Sequence, residues 1–222
     1  HEQELLTPQG WRKPRLVFLC SMGDLFHPEV PADFIRRVFQ VMKQCPQHQF
    51  QVLTKRSRRL RTLAKFLPWP DNVWMGVTVE NARVTGRVAD LQETPARVKF
   101  LSCEPLLGDI PKLPLAGINW VIVGGESGPS ARVMRRTWVE SVRRQCERAN
   151  VAFCFKQWGG TRKYASGRLL DGHMYDDMPD IRLPAVLNTR QCELPLGDEA
   201  QGQGANFGDR MRVAAVKLIV PD

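Results

Sequence analysis

The sequence predicts an α/β fold, a partial (βα) TIM-like barrel of parallel strands with an irregular C-terminal appendix. Apolar runs of strand length alternate with segments of helical periodicity, which is the pattern of a parallel sheet with right-handed crossovers. The runs are apolar throughout, as in strands that are covered on both faces. Three consecutive runs each lead to a glutamate, 22 to 24 residues apart, which fits one strand, one helix and two loops.

Six strand candidates are visible, two short of a complete eight-stranded barrel. Each ends in polar or glycine-containing residues that suit a loop. The candidates are residues 15–20, 49–53, 74–79, 98–103, 120–125 and 151–155.

Helical patterns fill most of the gaps between these strands. Residues 31–45 carry a single apolar stripe that ends before Pro46, and residues 57–67 carry another that ends before Pro68. The exception is the segment 106–119, which is rich in proline and glycine and is predicted to be a loop.

Two further helices are indicated by residues that are typical of helix ends. Asn81 can cap a helix that begins after it. Thr137 and Glu140 have the spacing of a capping box, and Asn150 suits the carboxyl end of the same helix.

The domain prediction places a partial barrel at residues 1–160 and an appendix at residues 161–222, which is expected to pack on the barrel. The pattern fades after Gly160, where polar and turn residues become frequent. A short apolar finish at residues 213–220 is compatible with one late strand or helix.

The strongest functional prediction concerns the three glutamates at the strand ends, Glu80, Glu104 and Glu126. In a parallel barrel the carboxyl ends of the strands converge on one mouth, where such enzymes place their chemistry. Because three nearby carboxylates repel each other, a cation is expected among them, and Lys156 follows the last strand candidate. These four residues are the catalytic candidates. The alternative is that the acids only cap the following helices.

Other strand ends offer candidates for binding a cofactor. A serine, a glycine and an aspartate after the first strand can bind a polar ligand, and a lysine after the second can neutralise the glutamates or bind an anion. A glycine-rich turn allows close backbone approach, although it matches neither the Walker loop nor the dinucleotide fingerprint. Ordinary turns with a capping aspartate or a solvated lysine are the alternative. The candidates are Ser21, Asp24, Thr54, Lys55, Gly124 and Gly125.

The formal net charge of +9 favours a polyanionic partner such as DNA or RNA, although a basic but inert surface remains the alternative. No apolar stretch is long enough to span a bilayer and no signal peptide opens the chain, so neither membrane contact nor export is expected. The six cysteines include no CxxC pair, which favours a reducing, cytoplasmic location. The candidates for binding nucleic acid are Arg56, Arg58, Arg59, Arg132, Arg135 and Arg136.

Six motifs, in order between residues 5 and 179, resemble a family of phage and bacterial proteins that are usually labelled as phage proteins of unknown function. That family is similar to a branch of the radical S-adenosylmethionine superfamily and distantly resembles spore photoproduct lyase. The resemblance implies a partial (βα) barrel, S-adenosylmethionine, a [4Fe–4S] cluster and a nucleic-acid substrate. The motifs are residues 21–27, 50–56, 72–81, 100–108, 120–128 and 155–159.

One departure from the family concerns the cluster. Family members carry a three-cysteine motif upstream of the region that matches residues 1–12, and this sequence lacks it. A cluster needs thiolate ligands, so this chain is not expected to hold one. The upstream segment would also supply a first strand; truncation, an N-terminal segment outside this sequence and true loss all fit.

Three functions follow as hypotheses. The leading one is a radical S-adenosylmethionine-like enzyme, or its core fragment, acting on nucleic acid or a nucleotide. The second is a hydrolase or lyase in which the three carboxylates hold Mg²⁺ or Mn²⁺ and His27 assists. The third is a non-catalytic phage protein that binds nucleic acid through its basic surface and works with a partner protein.

Overall fold

The computed structural model describes residues 2–19, 23–161, 167–180 and 214–216. Six strands lie side by side in chain order, all parallel, and a short seventh strand pairs with the free edge of the first. The sheet curls into a half-barrel with helices between the strands, which confirms the predicted α/β class. The strands are β1 (Leu16–Leu19), β2 (Gln49–Thr54), β3 (Val73–Thr78), β4 (Val98–Cys103), β5 (Trp120–Gly124), β6 (Ala152–Gln157) and β7 (Ala214–Val216).

The helices begin and end close to the predicted residues. The Asn81 side chain accepts a hydrogen bond from the Arg83 N–H and so caps the 3₁₀ turn Ala82–Val84, whereas the α-helix predicted to follow it begins only at Gly86. Asn150 ends its helix as predicted, in the left-handed conformation at φ 52°. The predicted capping box is wrong: the helix begins at Arg136, and the Glu140 carboxylate instead accepts from the Arg136 guanidinium. The helices are α1 (Glu2–Leu5), α2 (Ala32–Gln44), α3 (Ser57–Ala64), α4 (Gly86–Gln92) and α5 (Arg136–Ala149), with 3₁₀ turns at Thr7–Gly10 and Ala82–Val84.

No described helix has both the length and the apolar character needed to cross a membrane.

Two separate clusters of buried side chains cover the two faces of the sheet. The larger one contains the buried residues of α2, α3, α4 and α5 together with the strand residues that face them. Alternate strand positions point the other way, because successive side chains of a strand face opposite sides. They form a smaller cluster on the concave face: Trp74, Val98, Phe100, Trp120, Ile122 and Cys154.

One of the large rings on the concave face has room because a strand position is a glycine. Gly76 is the cross-strand neighbour of Phe100, and a Cβ atom at Gly76 would lie 2.5 Å from atoms of the Phe100 ring. The ring therefore lies directly over the β3 backbone and closes the interior of the half-barrel below the carboxyl ends of the strands.

Part of the predicted appendix is described, and it contacts the last strand. Within residues 167–180, the carbonyl of Tyr175 accepts from the Phe155 N–H at 2.8 Å, and the Asp177 N–H donates to the Phe153 carbonyl at 3.2 Å. Leu170 is fully buried. This segment lies along the outer edge of β6.

A buried amide connects α2 to the sheet. The Asn72 Nδ2 atom lies within hydrogen-bonding distance of three carbonyl oxygens, those of Met42 (3.0 Å), Cys45 (2.9 Å) and His48 (2.9 Å). These carbonyls lie at the end of α2 and in the turn before β2; those of Met42 and Cys45 also accept from the backbone N–H groups of Cys45 and His48. Asn72 therefore fixes the turn that positions β2.

Replacement of Asn72 by alanine is expected to lower the free energy of unfolding by about 2 kcal/mol, because it removes the buried hydrogen bonds that the Asn72 amide donates to the turn. Urea denaturation measures the effect. The isosteric Asn72→Asp variant replaces the donor by an acceptor and should destabilise at least as much. An Asn72→Asp protein as stable as the wild type would contradict this role.

Candidate functional site

The three glutamates lie at one edge of the sheet, because they follow the carboxyl ends of the adjacent parallel strands β3, β4 and β5. They do not share a single cation. Glu80 is paired with Lys55 and Arg87, Glu104 with Lys156, and Glu126 with Arg132. The carboxyl edge therefore carries three acidic loops, each with its own neutralising partner.

The Glu104–Lys156 pair is the one that opens into the half-barrel. The Lys156 Nζ atom lies 3.4 Å from the Glu104 Oε1 atom, and the two side chains are only 21% and 16% exposed. They border a cavity of about 60 Å³, enough for a few water molecules. The remaining lining residues are Phe18, Leu53, Phe100, Ser102 and Ile122.

The electrostatics of this pair are those of charges in a largely apolar cavity. Burial raises the pKa of the Glu104 carboxyl group, and the positive charge of Lys156 opposes that rise. Removing a charge from water is costly unless a partner compensates it. The pair thus places an acidic and a basic group side by side at the cavity.

The glycine-rich turn after β5 is explained by close packing. A Cβ atom at Gly124 would overlap the Glu104 carboxylate, lying 3.0 Å from its Cδ atom. A Cβ atom at Gly125 would overlap the Trp158 carbonyl group, lying 2.5 Å from its carbon. Gly124 therefore makes room for the Glu104 side chain, and Gly125 for the backbone after β6.

Glu80 is fixed by a network on the neighbouring loop. Its carboxylate lies 3.3 Å from the Lys55 Nζ atom and 2.9 Å from the Arg87 Nη1 atom, and it accepts from the Thr78 hydroxyl at 3.2 Å. Burial alone would raise the pKa of Glu80, but its hydrogen bonds and the two cations hold that pKa below its usual value. Glu80 is therefore a stable anion that joins the loops after β2 and β3.

Asp24 and Thr54 are in contact, and this contact links the loop after β1 to the end of β2. The Thr54 hydroxyl donates to Asp24 Oδ1 at 2.6 Å, the Lys55 N–H donates to Asp24 Oδ2 at 2.9 Å, and the Phe26 N–H donates to Asp24 Oδ1 at 2.9 Å. Both oxygens of this carboxylate are thus engaged by the protein. Ser21, the remaining cofactor-binding candidate, lies outside the described residues.

Glu126 forms a bidentate pair on a more exposed loop. Its Oε2 atom lies 2.8 Å from Arg132 Nε, its Oε1 atom 2.8 Å from Arg132 Nη2, and the Arg132 backbone N–H also donates to it. These hydrogen bonds lower the pKa of Glu126 to about 2. The pair closes the loop after β5, and Glu126 is not among the residues that line the cavity.

The predicted nucleic-acid-binding arginines divide into two groups. Arg59 donates to the carbonyl oxygens of Phe26, His27 and Val30 and so supports the loop after β1. Arg132 holds Glu126 as described, Arg136 contacts Glu140 and Asp171, and the Arg135 guanidinium lies 5.5 Å from the centre of the Trp138 ring. Arg56 and Arg58 are exposed, and neither forms an ion pair with any described residue.

Sequence reasoning missed several residues of the site. Ser102 and Phe100 lie two and four residues before Glu104, so strand alternation alone places them on the same face, and this signal could have found them. Phe18 and Leu53 belong to other strands and are brought in by the curl of the sheet. Arg87 carries no such signal, because it reaches Glu80 from the first turn of α4.

The described residues offer no group of three or more histidine, cysteine or acidic side chains that could hold a metal ion. Cys45, Cys103 and Cys146 are buried free thiols. Burial raises the pKa of all three, to about 12 for Cys146, so they do not supply thiolates. The described part of the chain therefore does not fit the cluster that the family resemblance implies.

The model of a family described as "Protein of unknown function (DUF5131)" matches residues 1–179. No curated protein and no solved structure matches the chain.

Proposed function

We propose that this chain, which belongs to the DUF5131 family, is an S-adenosylmethionine-binding half-barrel enzyme, or the core of one, that acts on nucleic acid or a nucleotide. The proposal takes the radical S-adenosylmethionine superfamily as its model. The observation that carries it is the Glu104–Lys156 pair at the mouth of an otherwise largely apolar cavity. Parallel sheets of this kind bind their ligands at the carboxyl ends of the strands.

The donor set of the cavity fits an amino-acid head group. The Glu104 carboxylate can accept from an α-ammonium group, and the Lys156 ammonium can donate to an α-carboxylate. When the zwitterion lies between the Glu104 and Lys156 side chains, the single ion pair is replaced by four charges of alternating sign. The Ser102 side chain also lines this cavity, and its hydroxyl adds a neutral donor and acceptor.

The size of the cavity limits what it can hold. A volume of about 60 Å³ suits the head group and not a whole nucleoside, so the adenosine part would extend toward the exposed rim. S-adenosylmethionine supplies a sulfonium centre whose carbon–sulfur bonds are activated for cleavage. The role of this chain's own residues is to bind and orient that molecule, since the described residues do not fit an iron–sulfur cluster.

The two other hypotheses have less support. A divalent metal held by the three glutamates is not favoured, since each of them is neutralised by a separate cation and no metal-binding group is found among the described residues. A purely nucleic-acid-binding protein would need no charged pair inside a cavity. For that protein, loss of the Glu104 charge would leave the biological activity intact.

Calorimetric titration of S-adenosylmethionine tests the proposal. The wild type is expected to bind, and Glu104→Gln to weaken binding by about 10- to 100-fold, because a hydrogen bond to a charged group contributes about 1.5 to 3 kcal/mol. Free methionine should compete for the site better than adenosine. Glu147→Gln, on the exposed surface of α5, is the matched control and should bind as the wild type does.

Absence of binding to the wild type would remove the proposal. Equal affinities of the wild type and Glu104→Gln would show that the ligand binds elsewhere.

A further inference from the structure

We propose that Arg56, Arg58 and Arg83 form one basic strip on the rim of the half-barrel, and that this rim strip binds the backbone of a single-stranded nucleic acid. The inference rests on the proposed function, because it places the polymer whose nucleotide would reach the Glu104–Lys156 cavity. It also changes the set of arginines predicted from the sequence: Arg83 is added, and Arg59, Arg132, Arg135 and Arg136 are removed.

The division between free and engaged arginines is the main observation. An arginine that binds a phosphate must present its guanidinium group to solvent without a competing carboxylate. Arg56, Arg58 and Arg83 are exposed, and none of their side chains forms an ion pair or a hydrogen bond with a described residue. By contrast, the guanidinium groups of Arg59 and Arg132 are held by carbonyl oxygens and by a carboxylate.

The positions of Arg56, Arg58 and Arg83 follow from the order of the strands. Arg56 and Arg58 lie directly after β2 and in the first turn of α3, and Arg83 follows β3, the next strand in the sheet. The contact between Lys55 and Glu80, 3.3 Å long, joins these two loops. All three arginines therefore lie on one stretch of the carboxyl edge, beside the loop that follows β4 and carries Glu104.

Local hydrogen bonds fix the backbone of the rim strip. The Arg56 N–H donates to the Thr54 hydroxyl at 2.9 Å, and the Arg83 N–H donates to the Asn81 side chain at 2.9 Å. The exposed guanidinium groups are thus carried by a backbone that is held in place, which suits contacts to phosphates that carry no sequence information.

The recessed cavity decides between a single strand and a duplex. Glu104 and Lys156 are mostly buried, and the cavity floor includes Phe100 on the concave face. A base stacked inside a duplex cannot reach such a site unless it leaves the stack, which costs free energy. A single strand along the rim strip can turn one nucleotide inward without that cost.

The experiment measures binding of a fluorescently labelled single-stranded oligothymidylate of about 20 nucleotides by anisotropy at several salt concentrations. In the rim variant Arg56, Arg58 and Arg83 are all alanine. In the control variant Lys13, Lys43 and Arg148 are all alanine. The control residues are exposed and lie near the amino ends of the strands, opposite the carboxyl edge. Their replacement removes as much positive charge from the net charge of +9 as the rim variant does.

The rim variant is expected to weaken binding at least about tenfold and to reduce the slope of log K against log salt concentration by about 2, since three phosphate contacts at about 0.7 each are lost. The control variant should keep the slope of the wild type. A duplex of the same length should bind more weakly than the single strand.

The possible failures are distinguishable. A wild type that binds no oligonucleotide would contradict the nucleic-acid part of the proposed function and this inference with it. A wild type that binds, with equal affinities of the two triple variants, would overturn the rim strip alone. Duplex binding as tight as single-strand binding would overturn the assignment of the polymer. Unchanged circular dichroism and melting temperature show that a variant is folded.

Discussion

Replacement of Gly125 by alanine is expected to lower the free energy of unfolding by about 3 kcal/mol or more, because the new methyl group would collide with backbone atoms. The added Cβ atom would lie 2.5 Å from the Trp158 carbonyl carbon and 3.1 Å from the Gly159 nitrogen. Neither atom can move like the end of a side chain, so the loops after β5 and β6 must separate. Denaturation by urea, followed by circular dichroism, measures the loss.

Gly86→Ala is the matched control for this variant. A Cβ atom at Gly86 meets nothing within 4 Å, and the residue begins α4, where alanine is a better helix former than glycine. It should be at least as stable as the wild type. If the free energy of unfolding of Gly125→Ala lies within about 1 kcal/mol of that of the wild type, the close packing of the two loops does not constrain this position.

Replacement of Lys156 by methionine is expected to affect both binding and stability. The variant loses the partner of the ligand carboxylate, so S-adenosylmethionine should bind about 10- to 100-fold more weakly. It also leaves the Glu104 carboxylate without compensation in the cavity, which should cost about 2 kcal/mol of stability at neutral pH, somewhat less than for a fully buried pair.

The same variant should change the dependence of stability on pH. Burial raises the pKa of Glu104 in the folded protein, so the folded state keeps this proton to higher pH than the unfolded chain does. The stabilisation that protonated Glu104 contributes is complete below the pKa of this group in the unfolded chain, near 4.5. It is lost as the pH rises through the pKa of Glu104 in the folded protein. Without Lys156 the folded pKa rises further, and the loss extends to higher pH.

A double variant separates the two effects of Lys156. Replacing Glu104 by glutamine in the Lys156→Met background removes the uncompensated charge, so stability should largely recover while ligand binding stays weak. If the double variant is no more stable than Lys156→Met, the destabilisation arises from altered packing, and the ion pair is not its cause.

The order and type of the strands could be predicted from the sequence because the signals are local. Continuous apolar runs predicted all six strands within a residue or two of their observed ends, as at β4 (Val98–Cys103). Helix ends were less reliable. Glu140 has the spacing of a capping-box residue, but Arg136 competes for its carboxylate, and a charged partner wins over a backbone N–H.

The site was only partly predictable because it depends on how loops meet. Because the carboxyl ends of parallel strands meet at one edge of the sheet, the sequence places Glu80, Glu104 and Glu126 together there. It contains no signal for which cation contacts which of these acids. Arg132 holds Glu126 from six residues away, whereas Lys156 of β6 meets Glu104 across the intervening strand β5. The glycines after β5 suggest a ligand cradle, yet close packing against Glu104 and Trp158 explains both.

Local neutralisation of each acidic loop has a consequence for how this sheet edge can evolve. Because no cation is shared between two of the three glutamates, the loss of one ion pair does not leave another glutamate with an unbalanced charge. Exchange of the Glu126–Arg132 pair after β5 then leaves the charge balance of the Glu104–Lys156 pair unchanged. The charges of this edge can therefore change one pair at a time, although the backbone of its loops is packed too closely to change as freely.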